Sequence, residues 1–385
     1  MTIKPSLFDL FFAFFRLGLT AFGGPAMVAH IKDLSVVRKK WLDEGTFRNG
    51  VALCQLIPGA TAMQTAAYVG LKSQGTTGAL AAFIGFGLPA FFFMLALSAL
   101  YVNYHILPWV AAIFTGLQAG VVSIVANATY SFGRTTLRDY YALLMAFGAA
   151  LLFHVGISPF IVIVLASVAG MLFYRMQIVK AGHEQCRESN RVSMKRLALL
   201  FFIPVTFLAV IRVISPDLFD LSALLMKIDL FAFGGGFASL PLMLHEIVYV
   251  KGWMDHKTFM DGIALGQITP GPIVITSTFV GYIVNGLPGA VTATIAIFTP
   301  SIIMVIALSP VFDRLKCSPY FLGATKGILA SFVGLLLFVT LKFAMAVDWD
   351  IPSALMAGAV FLALFRKVDI LYIVPVVIVV SALIF

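Results

Sequence analysis

The segment Leu7–Gly24, LFDLFFAFFRLGLTAFGG, returns as Leu218–Gly235, LFDLSALLMKIDLFAFGG, at a spacing of 218 − 7 = 211 with nine of eighteen positions identical. A second string, WLDEGTFRNGVALCQLIPG from Trp41 to Gly59, returns as WMDHKTFMDGIALGQITPG from Trp253 to Gly271, at 253 − 41 = 212. The chain is a duplication with one extra residue in the second copy. Hydrophobic units repeated in this way, each interrupted by Gly-Gly and Pro-Gly, have the pattern of a membrane carrier whose site lies between its repeats.

Composition sets the environment. Of 385 residues 61% are hydrophobic and 11% charged, with a mean hydropathy of +1.02, so the chain cannot present an ordinary solvated surface. An integral membrane protein is expected, with no cleaved leader, because the N-terminal apolar run has a partner deep in the chain. The net charge of +9 does not point to nucleic acid: the basic residues fall in short clusters between apolar runs, where membrane lipid headgroups and the cytoplasmic bias of Lys and Arg account for them. Cys54, Cys186 and Cys317 are far apart, with no CxxC and no His at ligand spacing, so neither a disulfide framework nor a metal is expected. GxSxG, HExxH, Walker A and Rossmann patterns are absent in suitable context. The reading is no cofactor and no enzyme.

Apolar runs of spanning length lie near 76–101, 107–131, 138–154, 157–174, 197–215, 286–308, 319–342, 352–365 and 368–385. The basic stretch Tyr174–Arg196 is read as a cytoplasmic linker. Counting spans from it puts Arg134 and Arg138 inside, the aligned Asp348 and Asp350 outside, and Arg314, Lys316, Arg366 and Lys367 inside. The halves are thus expected to be inverted, with the unmatched run Leu197–Ser215 supplying the reversal. The fold class is an all-α integral membrane protein of two inverted-topology repeats with broken or re-entrant helices. The divisions are 1–174, the first repeat; 175–217, the linker and inverting helix; and 218–385, the second repeat. The location is the cytoplasmic membrane, multi-pass, with a cytoplasmic N-terminus.

Four breaks interrupt the apolar pattern: Phe22-Gly23-Gly24-Pro25, Pro58-Gly59, Phe233-Gly234-Gly235-Gly236 and Pro270-Gly271-Pro272. Re-entrant hairpins tipped at these breaks are favoured over kinked spans. Proline rejects a continuous helix and glycine permits unusual backbone, so each break begins a new helix. A helix N-terminus offers unpaired N–H groups and about half a positive charge, which suits an oxyanion. Gln55, Thr61 and Gln64, with Gln267 and Thr269, stand beside the second breaks as neutral donors, though such groups also join helices in any membrane protein. Arg16 aligns with Lys227 before the Gly-Gly of each copy. Each either attracts the anion or pairs with a carboxylate on its own helix, Asp9 or Asp220. His30 and Asp229 are candidates for coupled protons, whereas Glu246 is read as solvated in a loop.

At these residues the chain resembles the chromate ion transporter family, in its long two-domain form. The strings RLGLTAFGGPAMVAHI at Arg16–Ile31, CQLIPGATAMQ at Cys54–Gln64, FAFGGGFASLPLM and GIALGQITPGPIVITSTFVGY carry the likeness over nearly the whole chain. One departure falls at Pro58–Gln64, where such members commonly read PGPTNMQ and this chain has PGATAMQ. The resemblance implies export of chromate, with sulfate as a competing or native anion, driven by ion gradients; antiport is the expected mode and a homodimer one assembly. Other readings are a sulfate permease, a channel, or a membrane enzyme acting on lipid phosphate. The last would need an acid/base cluster that the sequence lacks.

Overall fold

A computed structural model describes residues 4–22, 24–180 and 194–385. The described residues are helical, in the order α1 Leu7–Thr20, α2 Gly24–Lys32, α3 Glu44–Leu56, α4 Thr61–Tyr104, α5 Pro108–Thr136, α6 Tyr140–His154, α7 Pro159–Lys180 and α8 Met194–Ile214. The second half follows as α9 Pro216–Phe231, α10 Ser239–Met243, α11 His256–Ile268, α12 Thr276–Leu308, α13 Phe312–Leu315, α14 Pro319–Ala346, α15 Ile351–Phe365 and α16 Ile370–Ile384. Much of the expected linker, like Gly23, lies outside the described residues.

The repeat extends to backbone irregularities. A π-helical turn follows the first break in each copy, at Asp33–Arg38 and Leu244–Val250. Asp43 and Asp255 then cap α3 and α11 by accepting from the N–H three residues on. Non-helical residues fall inside α4 at Gln74–Gly75 and inside α12 at Asn285–Gly286. There the chain doubles back: a Cβ on Gly70 would lie 2.1 Å from the Gly78 carbonyl oxygen, and one on Gly281 2.3 Å from that of Gly289. Residues eight apart on a straight helix are separated by about 12 Å. The second breaks also fold back as hairpins, as expected: Gly50 packs on Tyr68 across the tip at Gly59, and Gly262 on Phe279 across Gly271.

All nine expected spans are occupied by helix, but among the described residues only four helices are long and apolar enough to cross a membrane alone. The turns after His154 and Phe365 cut α6, α15 and α16 to about 22 Å each, against a hydrocarbon core of about 30 Å. The outer surface is apolar, with Phe147 71% and Leu383 81% exposed. That composition suits contact with lipid.

The halves interlock. α5 packs on α15 and α16 of the other repeat, and α14 packs on α6 and α7. Small residues allow the approach, as where Gly170 meets Gly323 and Gly327. Thr129 and Thr340, equivalent at 340 − 129 = 211, touch each other, Oγ1 to Oγ1 3.1 Å. The operation that exchanges the halves passes through that contact. Cys317 is disulfide-bonded, contrary to expectation, since wide sequence separation carries no sign of a pair made by folding.

Candidate functional site

The second break of each repeat bonds to the first break of the other. The Gly59 N–H donates to the Ala232 carbonyl at 2.9 Å, and the Gly271 N–H to the Ala21 carbonyl at 3.0 Å. Pro58 and Phe233 form an antiparallel bridge. Gly59 and Gly271 have φ of +117° and +121°, a region closed to most side chains, so glycine is required at both tips. The third break reaches the second and fourth: a Cβ on Gly235 would lie 3.2 Å from Thr61 Oγ1, and one on Gly236 2.8 Å from Ile273 Cγ2.

Where the breaks meet there is a cavity of about 960 Å³. Its wall contains Gln55 and Gln267, which are repeat equivalents, the hydroxyls of Thr61, Thr269, Ser131, Thr135 and Thr136, and the backbone of Gly234, Gly235, Gly236, Gly271 and Pro272. Lys32, Glu44 and Arg48 stand at its mouth, where Glu44, Arg48 and Thr135 are exposed. Lys32 pairs with Glu44 at 2.5 Å and holds that carboxyl below the usual glutamate range, first by its hydrogen bond and then by its charge. Arg48 forms no ion pair among the described residues.

Among the described residues side-chain caps close eight helix starts and are missing at this site, as they also are at Leu107 before α5. Ser6, Asp43, Asp139, Ser215, Asp255, Ser318, Asp350 and Asp369 each cap a helix by a side-chain bond to a first-turn N–H. At the cavity the corresponding positions are Ala60 before α4 and Pro272 before the turn Ile273–Ile275 that leads into α12, and neither supplies a side-chain cap. The first-turn N–H groups at Thr61 and Ala62 are therefore left for a ligand. Ala60, Thr61 and Ala62 all line the cavity.

Other expected residues lie elsewhere. Gln64 is fully buried behind the wall and donates to the Pro58 carbonyl, holding the tip. Pro58, Gly59 and Pro270 are buried in the tips, Phe22 and Phe233 are half-buried beside them, and Gly24 and Pro25 open α2. Arg16 is exposed on α1 with no ion pair among the described residues; Asp9 instead closes a capping box with Ser6. Lys227 pairs with Glu246 at 2.9 Å and lies 3.8 Å from the Phe160 ring centroid. Asp220 pairs with Lys251. Same-helix pairing fails because seven residues separate these charges by about 10.5 Å, beyond side-chain contact. The expectation of a solvated Glu246 is likewise overturned: it is 6% exposed. His30 is exposed and outside the cavity wall. Asp229 is buried and accepts from Ser301 Oγ at 2.8 Å.

Two features escaped the sequence reading. Arg48 precedes Gln55 by seven residues on α3, so helical spacing from that glutamine would have found it. Asp261, also buried, accepts from Tyr101 Oη at 2.9 Å and Gln118 Nε2 at 2.8 Å. That cluster joins α11 to α4 and α5 and has no local sequence sign.

Helices of spanning length, an apolar outer surface and a cavity at the meeting of broken helices define a multi-pass membrane protein. The chain matches the Chromate transporter family over residues 8–171 and 219–385, and it belongs to that family. An uncharacterized transporter of Methanocaldococcus jannaschii is 47% identical over 373 residues, 96% of this chain and 92% of the relative. A chromate transport protein of Cupriavidus metallidurans is 31% identical over 357 residues, 91% of this chain and 86% of the relative. An uncharacterized transporter of Bacillus subtilis is 32% identical over 141 residues, 35% of this chain and 79% of the relative, which therefore has about the length of one repeat. No solved structure matches the chain.

Proposed function

We propose that this chain is a secondary transporter that exports chromate, or a tetrahedral oxyanion like it, across the cytoplasmic membrane. The observation that carries the reading is the pair of uncapped helix starts facing a cavity built from both repeats. Open N–H groups and the positive ends of helices favour a dianion, while Gln55, Gln267, Thr61 and Thr269 offer neutral donors. Arg48 supplies the formal charge at the mouth. Arg16 and Lys227 are assigned no contact with the anion.

Direction follows from charge. The cavity mouth shares its face with Lys32, Arg48 and the last turn of α5, which carries Arg134; the cytoplasmic bias of basic residues supports reading this as the inner face, in keeping with inverted repeats. A potential of about 100 mV, negative inside, gives a departing dianion about 4.6 kcal/mol, so export needs no ATP. Family membership and the named function of the Cupriavidus relative support chromate as the anion.

The test is chromate flux in liposomes holding the purified protein, with the potential imposed by a potassium gradient. Saturable, potential-dependent flux is expected; its absence would refute the transport reading, and tighter competition by sulfate would make the protein a sulfate carrier. Gly235→Ala, which forces a side chain onto backbone at φ +98° and toward Thr61, should weaken apparent affinity for chromate. An unchanged affinity with lowered abundance would make that glycine a packing residue instead.

A further inference from the structure

Asp229 is 1% exposed and only one of its carboxylate oxygens has a partner: Oδ2 accepts from Ser301 Oγ at 2.8 Å, while Oδ1 has none. Ser301 Oγ also accepts the Ala60 N–H at 3.1 Å, at the start of α4. Gln64, fully buried, is bound through Nε2 to the Pro58 carbonyl, and its Oε1 has no partner. The amide cannot be turned round, because the Pro58 oxygen accepts only. All three side chains gather at one tip. A Cβ on Gly59 would lie 2.1 Å from Ser301 Oγ and 2.6 Å from Gln64 Nε2.

Two buried oxygens without partners at one place, one of them on a carboxylate, call for a proton or a cation. Among the described residues no charged side chain supplies it. From α12 Asp229 receives only Ser301, and α10 carries no charged residue. Arg212 of α8 lies over the Phe219 ring, ten residues away along α9. Lys227, two residues from Asp229 and so on another face of the helix, is held by Glu246, with His245 beside that pair. Lys72 lies over Tyr68 on α4. Asp217 and Asp220 stand near the start of α9.

We propose that Asp229, Ser301 and Gln64 form the seat of one small monovalent cation, a proton or a sodium ion. The proposal rests on the transport reading and adds to it a second ligand. In the first repeat the equivalents of Asp229 and Ser301 are Gly18 and Ala90, so the seat exists once. Its occupancy reaches the anion through one hydroxyl: Ser301 joins the carboxylate to the N–H of Ala60, which lines the cavity. An empty, ionised Asp229 repels a dianion nearby and a filled seat does not. Anion and cation therefore favour each other's binding, by the same factor in both directions.

Chromate binding to purified protein in detergent tests this, on the alkaline side of neutrality where chromate remains a dianion. One series varies pH without sodium; the other varies sodium at fixed pH and ionic strength. Wild-type affinity should rise by up to about tenfold per pH unit lowered or per tenfold increase in sodium. Whichever series moves the wild type identifies the cation, and Asp229→Asn should reduce that response to less than about twofold. A wild type that binds chromate but responds to neither cation, or an Asp229→Asn protein that responds as the wild type does, overturns the seat. A wild type that binds no chromate overturns the transport reading as well. Should Asp229→Asn fail to fold, Ser301→Ala decides, since alanine already fits the equivalent position 90: its midpoint should move to higher cation concentration, and an unmoved midpoint overturns the proposal.

Discussion

The residues that line the open mouth in the first repeat have equivalents in the second that line nothing. Lys32 and Arg48 correspond to Met243 and Met260, Phe47 to Phe259 and Val51 to Ile263; all four second-repeat residues are fully buried. Leu329, on the cavity wall, corresponds to Gln118, which is bonded to Asp261. Asp261 itself corresponds to the exposed Asn49. One structural unit thus occurs twice in one molecule, once open and polar and once closed and oily. The closed copy gains the burial of two methionines, about 1.5–3 kcal/mol each, together with a hydrogen-bonded cluster. Under the transport reading this difference sets which side rests open, and the opposite side opens only by exposing Met243 and Met260 and parting Asp261 from Tyr101 and Gln118.

The largest effect should come from making the open mouth resemble the closed one. Arg48→Met installs the residue that the second repeat carries. Because Arg48 is exposed and forms no ion pair among the described residues, the protein should reach the membrane in normal amount. A charge-assisted contact to an oxyanion is worth about 1.5–3 kcal/mol, so the apparent affinity for chromate should fall about 10- to 100-fold. Chromate concentration series in liposomes measure it. An unaltered affinity would mean that the contrast in charge between the mouths has no bearing on the anion.

Loosening the closed copy should have a smaller effect. Tyr101→Phe removes one of the two hydrogen bonds to Asp261 and leaves the ring edge-to-face with Phe279, centroids 5.1 Å apart. Loss of about 1 kcal/mol would raise the population open on the Asp261 side roughly fivefold. A cysteine at position 260, in a protein whose free Cys54 is serine and whose disulfide at Cys317 is kept, reports this through its rate of alkylation. If Tyr101→Phe leaves that rate unchanged, the cluster is a static pin and the closed side is held by apolar packing alone.

The two copies also show what a sequence discloses. The duplication, the four breaks, the hairpins at the second breaks and the Gln55–Gln267 pair were legible because repeated glycine, proline and amide positions act on their own backbone, and the repeat itself marks them out. Lys227 was misread because its partner was sought on its own helix, whereas Glu246 lies beyond the following break. Arg48 resembled any exposed helix cation until α5 and the third break were seen to complete a cavity beside it. Asp261 was invisible for the same reason: its donors come from residues 101 and 118, in the other repeat. Contacts between the repeats decide the site, and a sequence alone does not report them.

The smallest expected effect lies where the copies are alike. Thr129 and Thr340 are the same residue at equivalent positions, their hydroxyls 3.1 Å apart, and each also lies within bonding distance of the carbonyl four residues earlier, so one hydroxyl donates across the contact while the one that accepts donates to its own helix. Threonine to valine keeps the shape and removes the hydroxyl, and interhelical hydrogen bonds in membrane proteins average about 0.6 kcal/mol. Thr129→Val and Thr340→Val should each lower stability by about that amount, and the double substitution should cost less than their sum, because the shared bond can be lost only once. Neither should alter the alkylation rate at position 260, since a contact at the point of exchange belongs equally to both open states. Thermal melting of the purified variants gives the first quantity and cysteine labelling the second. Unequal losses from the two single substitutions, or a labelling rate that moves with only one of them, would show that the halves part company even at their common point.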